Sequence, residues 1–476
     1  MMADPCGTIS KKLQAEQRPT GMLTFGECIH LAIAHQVSVG TAVLAEAMAT
    51  HRLSTEKAIE AVISVFDRNR QALEIGRHEG ESRLMGSVGA ELTEIGTGLT
   101  GHCLLDKAIT YTLATQVGNH CIGLQPCAGT GDACTYTGLL QAMMEEIDDQ
   151  IIVARAAAVM LKLGVLFREG KSTTGCNMEG FGAGAAAAAA AFTELADASP
   201  AAMERAVVLA LSPTIAVPCT PRVMVPGLCA THLGGGVLVG WLASRLACVT
   251  SIPVNVPVDV MMALAAAVHP ISASAVVPEV VRHMAPFFQT QAEIDKLVTD
   301  EDRNRELMRN QAVLKEARAR TKAMARRSRS ILNPFAAVVV GGSSQAVGSP
   351  VNAARIAHHL TRGTIRRVTI SLGPELFARR TINSPGILAA AVYGSATDDS
   401  TSQAEVFQRL QEEGVKVSLK RSDQAGLQRI EVEAERGNAV VTTLNRGGGR
   451  IHLLDAQPSL DEARRIASAL QIELAE

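Results

Sequence analysis

The sequence has few aromatic residues and almost no net charge. Phe, Trp and Tyr make up 3% of 476 residues, and the formal net charge is −2. Proteins that bind nucleic acids usually carry a strongly basic surface, and single-strand binders add exposed aromatic rings. The composition therefore predicts no nucleic-acid partner.

The sequence also lacks a secretory signal and a long apolar run. Residues 1–20 are polar, and the most apolar stretches, 183–191 and 234–243, are too short to span a membrane. Without a secretion signal, the ten cysteines indicate a reducing compartment, where thiols pack, bind metal or react. We therefore expect a cytoplasmic protein with no membrane partner.

Length and periodicity predict a multidomain protein with a large, mainly α-helical domain followed by a smaller α/β domain. Helical spacing of apolar residues begins near residue 23, and Ser54 is a predicted N-cap. We assign residues 1–290 to the helical domain, 291–334 to a basic helical linker and 335–476 to the α/β domain. The further expected elements are buried helices at 253–268 and 278–288, strands at 336–340, 368–371, 415–419, 430–434 and 439–443, and helices at 351–360 and 403–413.

The linker contains ten Lys and Arg residues between positions 303 and 329. Such a run is typical of a solvated connecting helix, and an RNA or DNA contact is the alternative. Because no aromatic residues interrupt the run, the connecting helix is the favoured interpretation.

The cysteines show no compact metal-binding spacing such as C-x-x-C. Cysteine is often a small buried apolar residue, and Cys28, Cys103 and Cys248 fall in apolar helical segments, where packing is expected. The other candidates lie in or beside glycine or proline turns, which can expose a thiolate to a metal. They are Cys176, Cys219 and Cys229, with Cys127 and Cys134 as rivals.

A glycine-rich turn at 126–134 precedes an apolar helix. The backbone N–H groups at the start of a helix can bind a carboxylate or phosphate. Most turns of this kind are only turns, so this segment alone leaves both interpretations open.

Residues 175–179 (Gly-Cys-Asn-Met-Glu), which precede a Gly/Ala helix, resemble the G-C-Q-x-E segment of the α domain of iron–sulfur-dependent L-serine dehydratases. Cys219 and Cys229 resemble the cysteine pair of that family, with an inner spacing one residue shorter. Residues 126–130 are similar to its P-T-A-G-S turn. The resemblance covers most of residues 23–250.

Residues 336–454 resemble the smaller β domain of this superfamily, especially as it occurs in L-cysteine desulfidases. The similar segments are 341–344, 367–370 and 383–388. Here this domain follows the α part, whereas it comes first in the single-chain forms.

The resemblance implies a 4Fe–4S cluster held by Cys176, Cys219 and Cys229, with one iron open to the β-hydroxyl or β-thiol of a small amino-acid substrate. The expected activity is that of a lyase, which eliminates water or sulfide and gives a 2-keto acid and ammonia. The expected substrate-binding residues are Ala128, Gly129, Thr130, Gly131, Asp132, Arg222, Ser343 and Ser344.

The sequence departs from the family at the catalytic base. The family's β domain carries S-S-S-H-T, but residues 344–348 contain no histidine, and the family's final cysteine is absent. The residues that could replace this base are His232, His120 and Lys171.

Three further interpretations remain open from the sequence. The protein could be an L-cysteine desulfidase, a cluster-free isomerase or lyase that uses Cys127 or Cys176, or a non-catalytic homologue that binds an amino acid. The Ala-rich helices would also permit a close homodimer.

Overall fold

A computed structural model describes residues 4–16, 23–96, 98–123, 134–169, 179–218, 225–328, 330–332, 348–447 and 449–475. The chain forms two compact units, Met1–Thr321 and Lys322–Glu476. The first unit is helical, and the second combines helices with a four-stranded sheet. The predicted order of a larger helical part followed by a smaller α/β part is therefore confirmed.

The described residues of the first unit are mostly in helices. In chain order they are α1 Pro5–Ala15, α2 Phe25–His35, α3 Val39–His51, α4 Thr55–Ser64, α5 Asp67–His78, α6 Val88–Ile95, α7 Cys103–Ile122, α8 Cys134–Glu146, α9 Gln150–Glu169, α10 Gly184–Leu195, α11 Pro200–Leu211, α12 Leu228–Val249, α13 Val258–Met284, α14 Ala292–Asp295 and α15 Asp300–Arg327. A π-helical turn, Glu179–Ala183, leads directly into α10.

Side chains of Ser and Thr fix where several of these helices begin. Thr24 forms a complete capping box with Glu27 at the start of α2. The predicted N-cap Ser54 is confirmed, because its side chain accepts the backbone N–H of Lys57. Each cap satisfies a helix N–H group that has no partner within the helix.

The alanine-rich helix α10 lies at the centre of the first unit. Every residue from Gly184 to Glu194 is buried, and the helix packs against α9, α11 and α12. A Cβ atom added to Gly240 of α12 would lie 2.5 Å from the Cβ of Ala188. Small residues therefore allow α12 to approach α10 closely.

Helices α5 and α7 cross at two glycines. A Cβ atom added to Gly76 of α5 would lie 1.8 Å from the carbonyl oxygen of Ala114, and one added to Gly118 of α7 would lie 1.8 Å from that of Ala72. Real Cβ atoms never approach a backbone oxygen this closely, so both positions require glycine.

We predict that Gly118→Ala lowers the free energy of unfolding by about 3 kcal/mol, because the added methyl group can be accommodated only by separating the two helix backbones. Urea unfolding of the full chain measures the change. Gly235→Ala on α12 is the control, since its Cβ would meet Phe181 Cε2 at an ordinary 3.5 Å. Alanine at position 235 should leave the free energy of unfolding unchanged or raise it by up to about 1 kcal/mol. Equal losses in the two variants would contradict the proposed crossing.

A buried ion pair joins α3 to α9. Lys162 Nζ lies 2.8 and 2.7 Å from the two carboxylate oxygens of Glu46, and both side chains are nearly inaccessible. Glu46 also accepts the backbone N–H of Leu23 at 3.1 Å. Because both side chains are shielded from water, each charge is stabilised by the other and not by solvent.

We predict that Lys162→Met lowers the free energy of unfolding by about 3–5 kcal/mol, because it leaves the Glu46 carboxylate buried without its cation. The double variant Glu46→Leu/Lys162→Met should regain at least half of that loss. Lys107→Met is the control, since Lys107 and its partners Glu145 and Glu146 are all about a quarter exposed, and it should cost about 1 kcal/mol or less. If the loss in the double variant equals the sum of the losses in Glu46→Leu and Lys162→Met, the two side chains do not stabilise each other and the prediction is wrong.

Helix α13 is mostly exposed. The expected buried helices at 253–268 and 278–288 are one continuous helix, and the prediction of burial is wrong: Val260, Leu264 and Ile271 are 56%, 44% and 70% exposed. The buried residues of this helix, such as Met261 and Ala265, lie in its first half.

Among the residues that the structure describes, three helical segments are long and apolar enough to cross a membrane by length and composition. They are Gln150–Phe167, Leu228–Val249 and Val258–Phe287, and the bent pair α2–α3 would make a fourth. The second includes the stretch 234–243, which continues as helix on both sides. A cytoplasmic location remains a prediction.

Helix α15 is exposed along most of its length: Val313 is its one buried residue, and Asn310, Leu314 and Ala317 are half-buried. Its charged side chains form pairs within the helix, such as Arg305 with Glu301, and Glu316 pairs with Arg282 of α13. This is the solvated helix expected from the basic run, and the division between the two units falls within it.

The second unit contains α16 Gly348–His359, β1 Arg362–Leu372, α17 Pro374–Ala378, α18 Arg380–Tyr393, α19 Ser400–Glu412, β2 Lys416–Arg421, β3 Leu427–Asn445, β4 Ile451–Gln457 and α20 Leu460–Ala469. Its sheet has the order β2-β1-β3-β4, with β1 and β2 parallel and the other pairs antiparallel. Helices α16 and α18 pack against the sheet and against each other.

Most predicted elements of this unit are found. The strands at 368–371 and 415–419 correspond to β1 and β2, and the helices at 351–360 and 403–413 to α16 and α19. The two strands predicted at 430–434 and 439–443 are parts of one long strand, β3, which is not interrupted at Gly437. The strand at 336–340 lies outside the described residues.

Candidate functional site

Three of the predicted site residues are described, namely His120, His232 and Cys229. The others lie outside the described residues: Lys171, Ala128, Gly129, Thr130, Gly131, Asp132, Arg222, Ser343, Ser344, Cys176 and Cys219, as does the rival Cys127. The segments that contain these residues connect to the ends of described helices, and the residues at those ends form the candidate site.

Helices α7 and α12 pack side by side in antiparallel directions. The end of α7 therefore lies near the beginning of α12. The rings of His102 and Trp241 are 6.0 Å apart at one end, and a Cβ atom on Gly234 would contact Ile109 further along. At the other end, the N–H of Gly227 donates to the carbonyl oxygen of Leu84 at 2.5 Å. The beginning of α12 thus lies beside the turn that contacts the last residues of α7.

His120, in the last turn of α7, is held through both ring nitrogens. Nδ1 lies 2.6 Å from Ser82 Oγ, and Nε2 lies 2.6 Å from Gln116 Nε2. The Cys134 thiol donates to Gln116 Oε1 at 2.9 Å. We call these four residues, Ser82, His120, Gln116 and Cys134, the His120 chain.

Local structure places each member of the His120 chain. Gln116 and His120 are four residues apart and so lie on one face of α7. Ser82 belongs to a tight turn closed by hydrogen bonds between its backbone and that of Gly86, whose φ of +60° suits glycine. Cys134 is the first residue of α8.

A close helix contact brings α8 to α7. A Cβ atom on Gly138 would lie 2.3 Å from the backbone nitrogen of Thr112. Gln116 and Cys134 are both fully buried, and His120 is half-buried. The His120 chain therefore runs from the interior of the helical unit toward its surface.

Cys229 and His232 lie in the first turns of α12. Cys229 is 1% exposed, whereas His232 is half-buried and its ring lies 5.2 Å from that of Phe181 in the π-helical turn. The π-helical turn therefore packs on the beginning of α12. In sequence, this turn begins three residues after Cys176, and Pro218 directly precedes Cys219.

The cysteines expected to pack behave differently from one another. Cys28 is fully buried, as predicted, and burial raises the pKa of its thiol to about 12. The prediction is wrong for Cys103, which is exposed; a hydrogen bond to Glu146 raises the pKa of this thiol. Cys248 is half-buried near the end of α12.

In the described part of the chain, no group of three or more His, Cys, Asp or Glu side chains could hold a metal ion. Cys229 is the one expected cluster ligand inside that part. It suits a metal thiolate, because it is shielded from water and sits in the first turn of a helix, where backbone N–H groups can stabilise negative charge on sulfur.

Sequence reasoning identified His120 but missed Ser82 and Gln116. The signal for Gln116 was available, since it precedes His120 by one helical turn and so lies on the same face of the helix. The contact between Ser82 and His120 could not be predicted from local sequence patterns, because 38 residues separate the two in the chain.

No family model matches the chain, and no curated protein matches it. Function is therefore inferred from the residues and their geometry.

Proposed function

We propose that the chain is a lyase that removes water or sulfide from a small β-substituted L-amino acid and gives a 2-keto acid and ammonia. The observation that carries this proposal is the position of His120. This histidine is held by Ser82 and Gln116 beside the beginning of α12, which carries Cys229. A positioned imidazole attached to the same turn as the helix that carries the expected metal thiolate is a combination that such an elimination could use.

Cys176, Cys219 and Cys229 would hold a 4Fe–4S cluster. When bound, a cluster with one open iron would supply a Lewis acid for the leaving group. Arg222 and the backbone N–H groups of 128–132 would bind the substrate carboxylate, as the resemblance to the serine dehydratases implies.

His120 is the base that the geometry supports best. Elimination requires removal of the α-proton, and the electron pair of the C–H bond forms the new C=C bond as water or sulfide leaves. His120 would take this proton on a ring nitrogen, and the substrate would first displace Ser82 or Gln116 from that nitrogen. The enamine product then tautomerises and hydrolyses to the keto acid and ammonia.

His232 is less suited to this role. Its ring packs against Phe181, so one face is occupied by an apolar partner. Two hydrogen-bonding side chains, Ser82 and Gln116, orient the ring of His120. Orientation by hydrogen bonds matters for a base, because the lone pair must point at the proton to be transferred.

We predict that Cys229→Ser removes most of the bound iron, because a serine hydroxyl is a poor cluster ligand. Iron and acid-labile sulfide are measured per chain after isolation without air. Cys248→Ser on the same helix is the matched control and should retain the wild-type content. An iron-free wild-type protein, even after reconstitution, would refute the cluster.

We predict that His120→Asn lowers kcat by about 10²–10⁴-fold, the usual contribution of a positioned general base. Pyruvate released from L-serine and sulfide released from L-cysteine are assayed in parallel, which identifies the leaving group. Iron content should match that of the wild type, so that the loss can be assigned to proton transfer.

His232→Gln is the comparison for this experiment, and its loss should be about tenfold or less. A large loss in His232→Gln together with a small loss in His120→Asn would transfer the role of base to His232.

A further inference from the structure

The exposed face of α13 carries an apolar stripe. Residues 260–278 contain no Asp, Glu, Lys or Arg. Six exposed side chains of this segment follow one another at helical spacing, within about a third of the helix circumference. We call these six residues the α13 stripe: Ala263, Leu264, Ala267, Ile271, Ser274 and Ala275. Its two large members, Leu264 and Ile271, are 44% and 70% exposed.

Packing within the helical unit does not account for this stripe. The buried residues of α13 lie on the opposite face of the helix, and they are Val258, Met261, Ala265 and His269. The solvent-facing side of a helix normally carries charged or polar side chains, as the exposed helix α15 does. A face that is both apolar and exposed over this length indicates an interaction surface.

We propose that the α13 stripe is the contact between two copies of this chain, which pack antiparallel across a twofold axis. A symmetric dimer requires a surface that is complementary to itself. An uncharged stripe meets this requirement, because no like charges meet near the axis. The alanine-rich helix α10 also has a composition that permits close pairing, but it is buried and cannot form the contact.

The sizes of the side chains fit this arrangement. In an antiparallel pair, residues at equal distances on opposite sides of the axis face each other. With the axis at the level of residue 269, Leu264 faces Ser274 of the second copy, and Ile271 faces Ala267 of the second copy. Each large side chain therefore meets a small one, which allows the two helices to interdigitate.

The positions farther from the axis continue the pattern. Ala263 faces Ala275 of the second copy, and Val260 faces Pro278 of the second copy. The two alanines leave room for the helix backbones to approach each other closely. The same axis thus gives an acceptable neighbour to every member of the stripe.

The length of the stripe sets the expected strength of the dimer. Residues 260–278 span about 28 Å at 1.5 Å per residue. Weak and transient complexes bury less than about 1,200 Å² in total, and one pair of helices of this length falls in that class. We therefore expect a dimer that dissociates on dilution.

A membrane surface is the other apolar partner that the stripe could contact. Helices that lie on membranes usually carry Lys and Arg beside the apolar face, and aromatic side chains at the membrane boundary. Residues 260–278 contain neither, and the acidic residues Asp259 and Glu279 flank them. Lipid would also gain nothing from the pairing of large with small side chains, so a second copy is the better partner.

The first test is the mass of the full chain in solution. Sedimentation equilibrium over a range of concentrations should show a 50.1 kDa monomer in reversible equilibrium with a dimer. Ile271→Glu should raise the dissociation constant about 100-fold or more, because it places two like charges near the axis within the interface. Ile151→Glu on α9 is the control, since Ile151 is 54% exposed, and it should leave the dissociation constant unchanged.

A pair of opposite charges tests the antiparallel register. Ala263→Glu and Ala275→Arg should each weaken the dimer, because each buries a charge without a partner. The double variant should restore it, because every new carboxylate then faces a guanidinium of the second copy. The two positions cannot pair within one chain, since roughly 18 Å of helix separates them. In a parallel dimer, each charge would instead face its own like.

Circular dichroism shows whether each variant is folded, and if Ile271→Glu is not, the charge pair decides. A wild-type chain that stays monomeric at every concentration would overturn the proposal, as would a dimer that folded Ile271→Glu leaves intact. A folded double variant that remains monomeric would exclude the antiparallel pairing. A monomer that sediments with vesicles of phosphatidylcholine and phosphatidylserine, and loses this binding in Ile271→Glu, would assign the stripe to a membrane instead.

Discussion

The close crossing of α5 and α7 is the constraint on which the candidate site depends. At Gly76 and Gly118 each helix rests directly on the backbone of the other, so neither helix can shift along its partner without a steric clash. Gln116 and His120 lie on either side of Gly118 on α7. Their position is therefore set by a backbone contact, which is less compliant than a contact between side chains.

Close contacts at two glycines also fix the position of α12. Gly240 allows α12 to approach the alanine-rich helix α10, and Gly227 is hydrogen-bonded to the turn that carries Ser82. That turn contacts His120 as well. Cys229 and His120 are thus attached to one framework of helices, and the chemistry proposed for them requires such a shared and rigid framework.

The sequence predicted many of the helices and the order of the two units, because both depend on local patterns. Ser54 caps α4 as expected, and the apolar spacing of β1 and β2 identified both strands. Burial was harder to predict. Helix α13 is as apolar as a core helix but is largely exposed, and Cys103 is exposed at the first residue of α7. Whether an apolar segment is covered depends on its partners, which periodicity does not show.

The partners of His120 illustrate the same limit at the level of chemistry. A histidine at the end of a helix can be structural or catalytic, and the sequence offered no way to choose. The surroundings of the ring come from Ser82, which reaches it from a distant turn, and from Gln116, which also contacts Cys134. These contacts join residues from three separate parts of the chain, so they cannot be read from the sequence around His120.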